Sequence, residues 1–153
     1  MSAIFRAAGL DDAALLARLH RECFEDKWDE ASVRSLFANS ATRVFVAGDA
    51  SANELQAFIM IQTYADESEI LTLGTVPAAR RKGLAKALLL HAACQAADCG
   101  ARTMFLEVAE TNQAALALYR RAGFTIAGSR ASYYRGDKGV AVDALRLSAV
   151  LPL

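Results

Sequence analysis

Residues 71–90, LTLGTVPAARRKGLAKALLL, are the most informative segment of the sequence. An apolar segment typical of a β-strand ends at Pro77, and apolar residues return at helical spacing from Gly83 onward. The first turn of a helix has unpaired backbone N–H groups and a partial positive charge. Four cations surround this turn: Arg80, Arg81, Lys82 and Lys86. The segment therefore predicts a strand, a basic turn and a helix that together suit a pyrophosphate.

Two small residues favour a close approach of an anion to this turn. Gly83 lets the backbone come near a ligand, and Ala85 is too small to block it. The alternative is a solvated basic loop that caps a helix, and the residues alone leave both interpretations open. The segment is neither a Walker phosphate loop nor a Gly-x-Gly-x-x-Gly turn, which disfavours nucleoside triphosphates and nicotinamide dinucleotides.

The composition excludes several classes of protein. The chain has 153 residues, of which 54% are hydrophobic, with 17 Lys and Arg against 17 Asp and Glu. We expect one domain over residues 1–153, because this length buries a sizeable core without metal or disulfide support. The apolar fraction excludes general disorder, and the zero net charge excludes a uniformly charged binder of nucleic acid or membrane. We expect a monomer.

The cysteines and the N-terminal residues predict a cytoplasmic protein. Three cysteines without a Cys-x-x-Cys pair argue against a disulfide framework or a zinc site. Cys94 and Cys99, in an Ala-rich helical segment, are interpreted as buried free thiols. His20 and His91 have no metal-ligand spacing around them, so we interpret both as structural and expect no metal. No signal-peptide core and no run of roughly 20 apolar residues is found.

Hydrophobic periodicity predicts the element order ααβββαβαββ. Asp11 or Asp12 is expected to cap the first helix, and Asp29 the second. The remaining elements are expected at 43–48, 54–62 and 69–76 (strands, the first two joined by 49–53), 83–99 (helix), 103–108 (strand), 112–121 (helix), and 124–131 and 140–149 (strands). This order is typical of an α/β (α+β) sandwich around one mixed sheet.

Several segments resemble one enzyme family. RRKGLA at residues 80–85 resembles the Q/R-x-x-G-x-G/A acetyl-CoA signature of the GNAT N-acetyltransferases. Within that family, LEVAETNQAALALYRRAGF at 106–124 resembles the RimI-like branch, as do Tyr133-Tyr134 with Asp143-Ala144, and Phe24 with Trp28. The resemblance implies the GNAT fold, a single central, mostly antiparallel sheet with helices on both faces. It also implies direct acetyl transfer from acetyl-CoA to the N-terminal α-amine of a protein, such as a ribosomal protein.

The resemblance also implies roles for individual residues. Glu107 would be the catalytic base, made more basic by partial burial, and Tyr119 the acid that protonates the departing thiolate. The cofactor would be held by Leu73, Gly74 and Thr75 through their backbone, by the turn Arg80, Arg81, Lys82, Gly83, Leu84, Ala85 and Lys86, and by Asn112. Trp28, Tyr133 and Tyr134 would contact the acceptor.

Each role has a purely structural alternative. Glu107 could be an edge-strand carboxylate that faces solvent. Tyr119 could be only a core contact of Leu116 and Phe124, and Asn112 an ordinary helix N-cap. Tyr133 and Tyr134 could be a β-sheet pair, and Trp28 a peripheral core residue.

The sequence departs from the family pattern at three positions, which leaves the acceptor open. Val76 replaces the usual Asp before Pro77, Lys27 replaces Pro before Trp28, and Ala109 replaces Arg after Leu-Glu-Val. A small-molecule amine or a lysine ε-amine is the alternative acceptor. A non-catalytic acetyl-CoA-binding module is disfavoured, because a module that only binds needs neither Glu107 nor Tyr119. A nucleotide-binding module is also disfavoured, because this sequence lacks the phosphate-binding motifs of that class.

The neutral net charge is an average over segments of opposite sign. Residues 44–79 contain five acids and no Lys or Arg, whereas 80–86 contain four cations and no acid. Residues 22–30 contain five acids against one lysine. We expect the basic segment to meet the phosphates of CoA and an acidic surface to attract a cationic amine.

Overall fold

The computed structural model describes residues 3–25, 28–49, 54–135 and 141–153, with the backbone alone for Ser132, Tyr134 and Arg135. The helices within these residues are α1 (Ala13–Cys23), α2 (Glu30–Phe37), α3 (Leu84–Asp98) and α4 (Gln113–Arg121), with short 3-10 turns at Leu10–Asp12 and Pro77–Ala79. The strands are β1 (Ala3–Ala8), β2 (Thr42–Asp49), β3 (Glu54–Tyr64), β4 (Glu67–Thr75), β5 (Thr103–Ala109), β6 (Thr125–Arg135) and β7 (Ala141–Val150). Lys27 and the expected connection at 50–53 lie outside the described residues.

The seven strands form one sheet in the order β1-β2-β3-β4-β5-β7-β6. Every neighbouring pair is antiparallel except β4 and β5, which are parallel and joined through α3. A parallel pair needs a long crossover connection, and the strand–turn–helix segment at 71–90 provides it. The expected single mixed, mostly antiparallel sheet is confirmed.

Helices cover both faces of this sheet. Phe45 contacts His91 of α3, with ring centroids 4.8 Å apart, and Phe58 contacts His20 of α1 at 5.9 Å. Phe45 and Phe58 point to opposite faces, because Phe58 is opposite Val46, the residue next to Phe45. The sheet is therefore buried between α1 on one face and α3 on the other. The largest fully buried side chains of the core come from the helices as well as the sheet, and they include Leu16, Leu19, Phe58, Leu84, Leu88, Leu89 and Phe124.

The first strand was missed by the sequence analysis, so the observed order is βααβββαβαββ. The residues of β1 are mostly exposed, and β1 pairs with β2 alone at the edge of the sheet. An edge strand without a buried face has no alternation of apolar and polar residues to detect. Arg6 in β1 pairs with Asp12 at 2.7 Å, and this ion pair fastens the strand to the start of α1.

The expected caps are only partly right. Asp29 caps α2, because its carboxylate accepts a hydrogen bond from the Ser32 backbone N–H at 2.8 Å. Asp12 precedes α1, but its carboxylate accepts from the Gly9 N–H and from Arg6 rather than from the helix. The Arg6 hydrogen bond is the main reason that the pKa of Asp12 lies below its usual range.

The expectation of buried thiols at Cys94 and Cys99 was wrong, because both are exposed. Cys94 lies on the solvent side of α3, whose core side is formed by Leu88, Leu89 and Ala92 among others. Cys99 lies past the last turn of the same helix. Cys23 at the end of α1 is half-buried, and burial raises the pKa of its thiol. An Ala-rich helix has too little apolar contrast to show which side is buried.

Candidate active site

A fork between β4 and β5 forms the centre of the site. The two parallel strands pair only from Glu67 opposite Thr103 to Ile70 opposite Leu106. Beyond that point β4 stays paired with β3 through Thr75, and β5 stays paired with β7 through Ala109. The strands therefore separate while each keeps its outer partner. The inner edges of 71–75 and 107–109 present backbone groups that an extended ligand can pair with.

A cavity of about 840 Å³ opens at this fork, a volume suited to a small-molecule or cofactor site. Its floor comes from the fork, and its sides come from α1 and the residues after it, from α4 and from Tyr133 of β6. The residues at its wall are His20, Phe24, Glu25, Trp28, Glu69, Ile70, Leu71, Thr72, Leu73, Leu106, Glu107, Val108, Ala109, Asn112, Ala115, Tyr119 and Tyr133. Three of these are glutamates, and none of the described wall residues is Lys or Arg.

Glu107 occupies the point at which the strands separate. It is the first residue of β5 beyond the last pair with β4, and its side chain is 15% exposed at the cavity wall. The solvent-facing alternative for this carboxylate is therefore wrong. Its Oε1 atom forms an ion pair with Nη2 of Arg130 on β6, at a distance of 3.0 Å.

Tyr119 and Asn112 reach the same cavity from α4. Tyr119 is 7% exposed, packs edge-on against Phe124 with ring centroids 5.6 Å apart, and also lines the cavity. Its core contact and its place at the site are thus both present. Asn112 caps α4 by accepting a hydrogen bond from the Ala115 N–H at 3.2 Å, and it lines the cavity as well.

The basic turn lies beyond the open end of β4 rather than in the cavity wall. Arg80 Nε donates a hydrogen bond to the Thr75 carbonyl at 3.1 Å, which ties the turn to the end of the strand. Gly83 has φ +81° and precedes α3, and no atom lies within 4 Å of the position that its Cβ would take. This conformation favours glycine and leaves space above the helix N-terminus.

The residues of this turn divide into exposed cations and core anchors. Arg80, Arg81, Lys82 and Lys86 are exposed, and no side chain in the described residues caps α3. Leu84 is buried and Ala85 is half-buried. Because the Leu84 side chain is buried, only the backbone N–H of this residue is available to a ligand at the turn.

The three predicted backbone contacts in β4 differ in position. Leu73 lies in the cavity wall, whereas Gly74 and Thr75 are buried next to it. A Cβ on Gly74 would lie 3.0 Å from both Cys23 Sγ and the Phe58 ring. A side chain at Gly74 would therefore force Cys23 or Phe58 to move, so this glycine favours the close packing of α1 on the sheet, a packing reason that was not predicted from the sequence.

Aromatic side chains form the side of the cavity opposite α4. Trp28 is half-buried and stacks on His20, with ring centroids 4.6 Å apart and planes at 9°. Tyr133 is 52% exposed and lines the cavity, while the side chain of Tyr134 lies outside the described part of the chain. The buried His20 also reaches the cavity wall, in addition to its contacts with the core.

The sequence analysis missed three charged residues of the site. Glu25 and Glu69 line the cavity, and Arg130 pairs with Glu107 at its edge. The acidic character of 22–30 and 44–79 was noticed, but periodicity could not show which carboxylates face the fork. Arg130 belongs to an exposed strand with irregular pairing to β7, where no pattern assigns a direction to a side chain.

Two structural findings concern other kinds of site. Within residues 3–25, 28–49, 54–135 and 141–153, no three His, Cys, Asp or Glu side chains are grouped as a metal would require. In the same part of the chain, no helix has both the length and the apolar character needed to cross a membrane.

The sequence over residues 13–124 matches the model of the acetyltransferase (GNAT) family. The match covers well over half of the chain and includes the fork, Glu107, Tyr119 and the basic turn. The chain therefore belongs to this family and is an acetyl-CoA-dependent N-acetyltransferase.

Comparison with individual enzymes shows which members of the family this chain is similar to. The chain is 31% identical over 124 residues to the [ribosomal protein bS18]-alanine N-acetyltransferase of Salmonella typhimurium, covering 79% of this chain and 82% of that enzyme. The crystal structure of the ribosomal-protein-S18-alanine N-acetyltransferase from Escherichia coli superposes with a TM-score of 0.90 at 25% identity, covering 99% of this chain and 96% of that one. The streptothricin acetyltransferase of Streptomyces lavendulae is 33% identical over 118 residues, covering 75% of this chain and 60% of that enzyme. The resemblance to RimI-like enzymes is thus confirmed.

Proposed function

We propose that this enzyme acetylates the N-terminal α-amine of a protein, with an N-terminal alanine as in bS18 as the first acceptor to test. The observation that carries this proposal is the position of Glu107 at the fork, in a cavity with three glutamates and no Lys or Arg among its described wall residues. The relatives named for the alanine of bS18 support the same acceptor class.

The charges and rings of the cavity suit a cationic acceptor. Glu25, Glu69 and Glu107 supply negative charge, and the rings of Trp28 and Tyr133 supply electron-rich faces. Ala109, at the position where the branch has Arg, lines the same wall and adds no positive charge. An ammonium group that enters the cavity is therefore attracted by the carboxylates and rings of the described wall, and Arg130 at the edge is the cation that it meets at Glu107.

Glu107 is the proposed base. It accepts one proton from the acceptor ammonium, directly or through a water, which leaves a neutral amine able to attack the acetyl carbonyl carbon. An α-amine has a pKa of about 7.7–8.0, so roughly one molecule in seven is already neutral at pH 7. A lysine side chain near 10.4 is neutral in fewer than about one molecule in two thousand. A carboxylate that is a modest base therefore suffices for an N-terminus.

Tyr119 is the proposed acid. Its ring is held by Phe124 and by the core, so its position in the cavity wall is fixed by packing. As the carbon–sulfur bond of the thioester breaks, the Tyr119 hydroxyl gives its proton to the departing sulfur. The nitrogen loses a second proton as the amide forms, and this proton, relayed through water, restores the Tyr119 hydroxyl. The hydroxyl is a weaker acid than a thiol, so this transfer must be concerted with bond cleavage.

The co-substrate, acetyl-CoA, supplies an activated acetyl thioester, and the chain offers it two places. The inner edge of 71–75 would pair with the extended arm, with Leu73 at the cavity and Asn112 opposite. The N–H groups at the start of α3 and the exposed Arg81, Lys82 and Lys86 would hold the phosphates. The open space at Gly83 fits this assignment.

A small-molecule amine is the second candidate acceptor. The similarity to streptothricin acetyltransferase and a cavity of about 840 Å³ favour it. The two candidates require the same base and differ only in how the acceptor is held beyond its amine.

The proposal is tested by initial rates with matched acceptors and acetyl-CoA. The acceptors are a peptide that begins with alanine and contains one lysine, the same peptide with its α-amine formylated, spermidine and a streptothricin. We expect the free peptide to be acetylated and its formylated twin to be inert. Faster transfer to the twin or to either small molecule would overturn the proposal.

A further inference from the structure

The ion pair at the fork puts Glu107 in two conflicting roles. A base must have a carboxylate oxygen available to the ammonium, yet Oε1 of Glu107 is engaged by Arg130 at 3.0 Å. A nearby cation also repels an ammonium that approaches the same carboxylate. If Arg130 stayed in place during the reaction, it would occupy one oxygen of Glu107 and oppose the entry of the acceptor.

The two partners differ in their access to water. The side chain of Glu107 is 15% exposed, whereas that of Arg130 is 58% exposed. A buried carboxylate without a partner is costly, but an exposed guanidinium is readily solvated. Arg130 can therefore leave the pair at low cost, whereas Glu107 needs a replacement cation when it does.

Arg130 also contacts an aromatic ring next to the pair. Its guanidinium carbon lies 5.0 Å from the centre of the Tyr133 ring, within the range of a cation–π contact. Tyr133 is half-exposed at the cavity wall. A second arginine near Glu107 is already engaged elsewhere: Arg146, opposite Glu107 in β7, lies over the Phe105 ring at 4.4 Å.

We propose that Arg130 is a displaceable counter-ion of Glu107: it pairs with the carboxylate until the ammonium of the acceptor takes its place. The exchange substitutes one cation for another, so the carboxylate is never left without a partner. It also makes Arg130 a competitor of the acceptor, and an amine that cannot displace it does not reach the base. The inference rests on Glu107 as the base of the proposed function.

The experiment measures the dissociation constant of the alanine-initiated peptide by calorimetry with CoA present, and steady-state rates with acetyl-CoA. The variants are Arg130→Gln, which removes the competing cation, and Arg130→Lys, which keeps one. Arg146→Gln is the control, because Arg146 is the arginine in register with Glu107 that contacts Phe105 instead. Glu107→Gln and the double variant Glu107→Gln/Arg130→Gln complete a double-mutant cycle, which measures whether the effect of Arg130 depends on Glu107.

Removing a competing pair of ordinary strength tightens acceptor binding about 1.4- to 5-fold. We expect this decrease in the dissociation constant and in KM for Arg130→Gln, with kcat within about twofold of the parent. Arg130→Lys and Arg146→Gln should bind the peptide as the parent does. In the Glu107→Gln background, Arg130→Gln should have no effect, because the contested carboxylate is gone.

Unchanged or weaker peptide binding in Arg130→Gln would overturn the counter-ion assignment, as would the same gain in the Glu107→Gln background. The proposed function fails separately, by absence of acetylation of the free peptide in the parent enzyme. In that case the same cycle is measured with the amine that the parent does acetylate.

Discussion

Replacing Glu107 by glutamine removes the proposed base while preserving the shape of the side chain. The side chain is 15% exposed, and an amide of the same size keeps its packing. Arg130 loses its partner but is 58% exposed, so the lost pair costs at most about 1 kcal/mol. That corresponds to a fall of about 2–4 °C in Tm for a protein of this size.

The effect on catalysis should be much larger. Loss of a general base slows a reaction about 10²–10⁴-fold, or roughly 2.7–5.4 kcal/mol at 1.36 kcal/mol for each factor of ten. The defect should shrink about tenfold from pH 6.8 to 8.8, because an α-amine with a pKa near 7.8 loses its own proton over that range. The dissociation constant of acetyl-CoA should not change, since the proposed phosphate site lies in the turn beyond Thr75 and does not include Glu107.

The assay is kcat by CoA release across this pH range, together with Tm and acetyl-CoA affinity. Glu110→Gln is the matched control, because Glu110 follows the same strand but its side chain is exposed and outside the cavity wall. A fall in kcat below tenfold, or a fall that matches an equal loss of acetyl-CoA affinity, would refute a base role for Glu107.

Three further predictions follow from other parts of the molecule. Reversing the charge of Arg81 and Lys82 together to glutamate should weaken acetyl-CoA binding about 10- to 100-fold with little change in acceptor affinity, and calorimetry at two salt concentrations checks this; an unchanged acetyl-CoA affinity would remove the phosphate site. Asp12 has a pKa lowered by Arg6, so its pair stabilises the fold above about pH 4 and is lost as the pH falls through the lowered value. Urea midpoints of Asp12→Asn should therefore lie below those of the parent at pH 7, and the gap should narrow as the pH falls below about 4; a gap that stays constant would contradict this. Leu88→Ala should cost about 2–5 kcal/mol of unfolding free energy, because Leu88 is fully buried, and a cost below 1 kcal/mol would show that α3 is not part of the core.

The sequence predicted the elements that have a strong period or a clear end. The helix after Gly83 and the strands on either side of it were found because apolar spacing, Pro77 and the basic turn mark them. The edge strand β1 was missed because its pairing is made by backbone groups with β2 and leaves no trace in its side chains.

Only those site residues that belong to one continuous sequence motif could be predicted from the sequence. The motif around Glu107 and Tyr119 placed both residues at one cavity, which the structure shows. Only the three-dimensional packing brings Glu25 and Glu69 to the cavity wall and Arg130 to its edge, because these residues lie in separate parts of the chain. Gly74 had a packing reason that depends on Cys23 and Phe58, neither of which is near it in sequence.

The acceptor that we propose for this enzyme is an N-terminal α-amine. A single peptide that begins with alanine and contains one internal lysine offers both kinds of amine at equal concentration. Tandem mass spectrometry after incubation with enzyme and acetyl-CoA locates the acetyl group on one of them. We expect acetylation of the α-amine at pH 7 with the lysine unmodified, and an acetyl group on the lysine side chain would show that the proposed acceptor is wrong.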